Sequence, residues 1–153
     1  MDSIDRKLLR LLQEDSSYTV AEISERIGIS STPVWKRIKR LEESGVIASR
    51  VVLLDSQKIG LGLTGFVLVR TNDHSEKWLQ QFANVVESIP EIVEMHRMAG
   101  DVDYLLKVVA PDIGGYDVIY KRIIKLIDLQ DVSASFSMEV VKSTTALPLD
   151  YVS

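Results

Sequence analysis

The sequence predicts an α+β protein in two parts, an N-terminal winged helix-turn-helix and a C-terminal ferredoxin-like βαββαβ domain. Three observations carry this expectation: two short, capped helical segments joined by Gly28-Ile29-Ser30, an alternation of strand and helix patterns from Leu63 onward, and a polar, glycine-containing stretch between them. The 153 residues have room for two small domains, and 46% hydrophobic with 26% charged residues is the balance of an ordinary globular chain.

Asp2 and Asp5 open a first helix that runs through Glu14, with Ile4, Leu8, Leu11 and Leu12 inward. Thr19 followed by Glu22 is a capping box for a short second helix, Val20–Ile27, and Gly28 can take the left-handed conformation that ends it. Ser30 offers the next N-cap, and a third helix follows over about Ser31–Glu43 with Pro33 in its first turn. Val34, Ile38 and Leu41 form its buried stripe, while Lys36, Arg37, Lys39 and Arg40 lie between with no acid until Glu42. After Gly45, the β-branched run Val46–Leu54 reads as the wing strand. A basic helix face is often only a solvated surface, but two capped helices, a wing and a basic second helix together are what a major-groove reader needs. Ser31, Thr32, Trp35, Lys36, Lys39 and Arg40 are the expected face toward double-stranded DNA, Trp35 being the member that could brace the helix instead.

Residues 51–62 read as a hinge strand and linker, which divides the chain into 1–50, 51–62 and 63–153. In the last part, Leu63–Arg70 reads as a strand and Ser75–Ser88 as a helix with Trp78, Leu79, Phe82 and Val86 inward. Ile92–Met98 and Tyr104–Ala110 pair around the turn Ala99–Asp103. A helix over Ile113–Leu126 and a final strand over Val132–Val141 complete βαββαβ. Both helices then cover one sheet face. Phe66, Leu68, Leu106 and Val108 are expected on the other, where a second subunit is the simplest cover, so a homodimer at least is expected.

Charge is split. Residues 1–50 carry nine Lys/Arg against eight Asp/Glu, and residues 51–153 carry nine against fourteen, so basic character is confined to the helix-turn-helix. No apolar run approaches the about 20 residues of a membrane span, and no signal peptide is evident, so a cytoplasmic protein without membrane partners is expected. Absence of cysteine excludes thiolate metal sites, and two histidines 22 positions apart are weak ligands; neither metal nor cofactor is expected.

From Asp2-Ser3-Ile4-Asp5 through Arg37-Ile38-Lys39-Arg40-Leu41-Glu42 and Gly45-Val46-Ile47 to Gly100-Asp101-Val102-Asp103-Tyr104 and Phe136–Lys142, the chain resembles the Lrp/AsnC (feast/famine) transcription regulators. Trp35-Lys36-Arg37, Lys58–Thr64, Arg97–Gly100 and Thr144–Pro148 look most like the DecR-type branch, associated with cysteine sensing. The resemblance implies a regulator with a C-terminal effector-binding and oligomerisation (RAM, ACT-like) domain, and dimers that can close into a tetramer of dimers. A small amino acid would sit between dimers: Asp103 would receive its ammonium group and N–H groups near Gly100 and Asp101 its carboxylate, with Tyr104, Ser143, Thr144 and Thr145 completing the pocket. Ser17 departs from the family, which often has arginine near this position. Lrp-like chains also serve as sirohaem decarboxylases, but this chain offers only His74 and His96 to line such a pocket. A stand-alone amino-acid-binding module with a vestigial head is the other alternative, and the basic residues between Lys36 and Arg40 argue against it.

Overall fold

The computed structural model describes residues 1–151, which divide into two compact units. One comprises Met1–Leu53 with the tail from Val141, and the other Leu54–Val140.

In the first unit three helices, α1 (Ser3–Glu14), α2 (Val20–Ile27) and α3 (Ser31–Glu43), enclose a core of Leu8, Leu9, Ile23, Val34, Ile38 and Leu41. The local signals act as expected. Asp2 and Asp5 form a capping box at α1, Thr19 and Glu22 another at α2, and Gly28 ends α2 at φ 79°. Ser30 holds the N-cap position of α3 without a side-chain hydrogen bond. Gly45 takes φ 75° after α3, and the Ile47 N–H turns back to the Leu41 carbonyl.

The wing expected over Val46–Leu54 forms no strand ladder in the single chain. Val51, Val52, Leu53 and Leu54 are exposed instead. High strand propensity does not make a strand without a partner for its N–H and C=O groups. The tail also departs from the expected 63–153 part. Gln13 Nε2 donates to the Leu147 carbonyl (3.2 Å), the Leu147 N–H donates to Gln13 Oε1 (2.7 Å), and Leu149 packs against the helical core. The bonds between the Gln13 side chain and the Leu147 backbone therefore place the tail with the head.

The second unit is an antiparallel sheet of β1 (Leu63–Arg70), β2 (Ile92–Arg97), β3 (Tyr104–Ala110) and β4 (Asp131–Phe136) in the order β2-β3-β1-β4, with helices α4 (Glu76–Glu87) and α5 (Ile113–Leu126). This is the ferredoxin-like order. Trp78, Phe82, Val85 and Val86 of α4 and Ile119 and Ile123 of α5 share one core with Val67, Val69, Tyr104, Leu106 and Val108 of the sheet. β4 ends at Phe136, earlier than the expected Val141: the Ser137 N–H makes a last bond to the Thr64 carbonyl, next to β1's first residue.

Register corrects the expected open face by one residue on β3. Phe66 pairs with Lys107 and Leu68 with Leu105, whereas Leu106 lies opposite Val67 and Val108 opposite Gly65. Partners in register share a face. Leu106 and Val108 therefore face the helices and are buried, and the open face presents Phe66, Leu68, Leu105 and Val109 around Lys107. Glu94 and His96 of β2 share it: Glu94 accepts from Lys107 Nζ at 2.8 Å and lies 3.0 Å from His96 Nε2.

Candidate DNA interface and effector turn

Helix α3 has two opposed stripes. Val34, Ile38 and Leu41 are buried, while Thr32, Trp35, Lys36 and Lys39, at the spacing of one helix face, are exposed. Trp35 is 51% exposed, and Lys39 Nζ lies 5.3 Å from its ring centroid. The ring thus belongs to the open stripe and does not brace the core. Ser31 is exposed as well, with its Oγ accepting from Ser24 Oγ at 3.1 Å, which ties the start of α3 to α2. The open stripe can give phosphates two ammonium groups and give base edges a hydroxyl and an indole N–H.

Arg40 is different. Its Nη2 lies 2.6 Å from Asp5 Oδ2, while Arg37 Nη1 lies 2.7 Å from Asp5 Oδ1 and 2.6 Å from Asp2 Oδ2. The Asp5 side chain is 2% exposed, so a carboxylate inside the head is held by two arginines of α3. Hydrogen bonds to Asp5 and then Asp2 raise the Arg37 guanidinium above its ordinary pKa; the Asp5 N–H, then Arg37, lower that of Asp2. Sequence reasoning missed Asp5 and Arg37. The signal was Asp5 itself, on the same helical face as Leu8, Leu9 and Leu12, because an acid inside an apolar stripe needs a cation from elsewhere.

In the second unit the β2–β3 turn is built around Gly100 and Asp103. Gly100 has φ 128°, a backbone conformation that a β-carbon would strain. Asp103 pins the turn to the end of β1: its N–H donates to the Val69 carbonyl (3.0 Å) and its Oδ2 accepts from the Thr71 N–H (2.9 Å). Oδ1 lies 3.8 Å from His74 Nδ1, and the side chain keeps 30% of its surface exposed. Gly100 and Asp101 are exposed beside it.

The four remaining expected pocket residues lie in the core of the second unit and on the tail. Tyr104 is buried, its ring 5.2 Å from that of Phe82 and 5.7 Å from that of Trp78, because alternation along β3 turns it toward the helices. Ser143, Thr144 and Thr145 are exposed residues of the tail, which the structure groups with the head and not with the turn.

Comparison with known proteins finds the same two kinds of domain, with the second match running on into the tail that the structure groups with the head. Residues 1–48 match the winged helix-turn-helix DNA-binding family, and residues 64–147 match the Lrp/AsnC ligand-binding domain. The chain is 50% identical to the glutamate uptake regulatory protein of Zymomonas mobilis, covering 97% of this chain and 91% of that one. It is 47% identical to the DNA-binding transcriptional activator DecR of Escherichia coli K12, over 98% and 99% of the two chains. A transcriptional regulator of Neisseria meningitidis, solved in complex with L-methionine, superposes with a TM-score of 0.93 at 31% identity over 98% and 97%. These relatives are regulators, which sets aside the decarboxylase alternative. The chain belongs to the Lrp/AsnC family of transcriptional regulators, with a DNA-binding helix-turn-helix and a ligand-binding domain in one polypeptide.

Proposed function

We propose that this regulator binds double-stranded DNA through the open stripe of α3, and that a small amino acid held at the Gly100–Asp103 turn changes that binding. The observation that carries the effector reading is Asp103: one carboxylate oxygen is fixed by the Thr71 N–H, and the other keeps a partly open approach beside an exposed glycine turn. A zwitterion needs one fixed anion for its ammonium group and N–H donors close by for its carboxylate, and Asp103 with the backbone at Gly100 and Asp101 offers that set. The resemblance also assigns Tyr104, Ser143, Thr144 and Thr145 to a pocket between dimers; Tyr104 is buried in the core of its own unit, and the turn carries the proposal without them.

Cysteine is the first effector to test, following the DecR-like resemblance; leucine, methionine and glutamate come next. The partly apolar open sheet face supports a homodimer, with a tetramer of dimers as the larger assembly. Among the described residues no helix is long and apolar enough to cross a membrane, and a protein working on DNA would act in the cytoplasm. An effector would act to the extent that it binds one assembly or head arrangement better than another.

The test is anisotropy binding of the full chain to its own upstream DNA, in low and moderate salt, against a panel of these amino acids. One of them is expected to change the affinity. Asp103→Asn retains an oxygen for the Thr71 N–H but loses the charge, and should weaken that effector by roughly 10- to 100-fold. An Asp103→Asn variant that responds at the same effector concentration would remove the turn from the reading.

A further inference from the structure

The Asp2–Asp5–Arg37–Arg40 cluster joins α1 to α3 by three ion pairs of 2.6–2.7 Å. Each oxygen of Asp5 takes a different arginine, and the two arginines stand one helical turn apart. Asp5 Oδ2 also accepts from the Asp2 N–H at 3.2 Å, and Asp2 Oδ1 from the Asp5 N–H at 2.8 Å, so the acids are themselves locked to the first turn of α1. Hydrophobic packing by Val34, Ile38 and Leu41 holds α3 against the core. Two ion pairs to one buried carboxylate add a directional restraint on its rotation. A rotation of about 20° would carry a side chain about 6 Å from the axis through about 2 Å, which exceeds the tolerance of a hydrogen bond to a base edge.

We infer that Asp5 is the positioning residue of the recognition helix, and that Arg37 and Arg40 serve DNA reading through it, Arg40 keeping its charge on Asp5 and not on a phosphate. This rests on the reading of α3 as the DNA-facing helix. Arg40 lies at the margin of the open stripe with 59% of its side chain exposed, so its placement alone would permit a phosphate contact. The 2.6 Å bond to a carboxylate that is almost wholly shielded from water argues for the other role, because charge pairs strengthen as water is excluded. A buried ion pair is weak evidence for stability, and in some proteins it fixes one arrangement instead. Here the arrangement is the direction in which Trp35, Lys36 and Lys39 point.

The experiment uses the full chain and two duplexes of equal length, one recovered by the unmodified chain from a random-sequence pool and one scrambled. Affinity for each is followed from 50 to 200 mM salt. Lys36→Ala, the phosphate-contact control, should lower the slope of log affinity against log salt by about 0.9 per bound head on both duplexes. Arg40→Gln should leave both slopes unchanged and reduce the preference for the recovered duplex roughly tenfold. Asp5→Asn combined with Arg40→Gln should lose no more preference than Asp5→Asn alone. Arg37 still holds Asp5 in Arg40→Gln, so that variant stays folded even where Asp5→Asn melts early. A slope lowered by about 0.9 in Arg40→Gln, with preference kept, would make Arg40 a phosphate contact and overturn the inference. Unchanged slope and unchanged preference would reduce the cluster to packing and overturn it equally. Slopes that neither Arg40→Gln nor Lys36→Ala alters would instead remove α3 from the DNA interface, and the inference with it.

Discussion

Replacing Phe66 with glutamate tests the open sheet face as the proposed dimer interface, at its exposed aromatic. Phe66 retains 38% of its surface while standing opposite Lys107 in the β1–β3 register. An aromatic side chain has about 200 Å² to bury, so roughly 75 Å² of ring remains for a partner to cover. At about 25 cal/mol per Å², that is roughly 2 kcal/mol for each copy. In a two-fold dimer the same residue acts twice, so the loss is roughly 4 kcal/mol, a weakening of association of about a thousandfold. The monomer should be spared, because the new carboxylate would face Lys107 across the ladder, where opposite charges contribute about 0.2–1 kcal/mol. Sedimentation equilibrium over a range of protein concentrations reads the result: the unmodified chain is expected to associate, and Phe66→Glu to remain monomeric at concentrations far above the parent's dissociation constant. Near-ultraviolet circular dichroism should show the Trp78–Phe82–Tyr104 cluster unchanged. Equal masses for the two proteins at every concentration, with the fold intact, would refute the covered-face argument.

Ile38→Ala opens a hole under α3 in the six-residue head core, and should cost the head about 2–4 kcal/mol. Trp35 fluorescence in a Trp78→Phe background, followed in urea, reports that unit; an unshifted midpoint would mean that Ile38 is not a core contact. Glu94 supplies a pH test. Lys107, and after it His96, hold its carboxyl below the ordinary value of 4.5, so its stabilising effect is present above about pH 4.5 and is lost as pH falls through the lower folded value. The melting temperature of Glu94→Gln should therefore lie below that of the parent at pH 7 and converge with it in strong acid. A gap of the same size at pH 7 and pH 3 would show that the carboxylate charge is not the cause.

What could be read from the residues and what could not divides along sequence separation. Both capping boxes, the left-handed Gly28 and the Val34–Ile38–Leu41 stripe involve groups within about two turns of one another, so spacing alone determines them. The β3 phase was harder, since Tyr104-Leu105-Leu106-Lys107-Val108-Val109-Ala110 is apolar on both faces. Its one polar residue, Lys107, does mark the open side, and weighting it would have placed Leu105 and Val109 there and Tyr104 in the core. Propensity alone makes the wing run a strand, but strand pairing is a property of two segments, and the described residues give Val46–Leu54 no second one. The attachments of Arg40 and of the tail run to residues 35 and more than 130 positions away, across spans where local periodicity carries no information. Of these, only the Asp5 attachment left a local signal, unused in the sequence reading: a carboxylate beside Leu8 and Leu9 in an apolar stripe is too costly to bury without a cation. The same asymmetry bears on the candidate site. The open face of α3 follows from helical period, so its exposed side chains were largely legible. Whether a particular arginine at its margin faces DNA or its own protein depends on which distant acid the fold brings near, and for Arg40 that acid is Asp5.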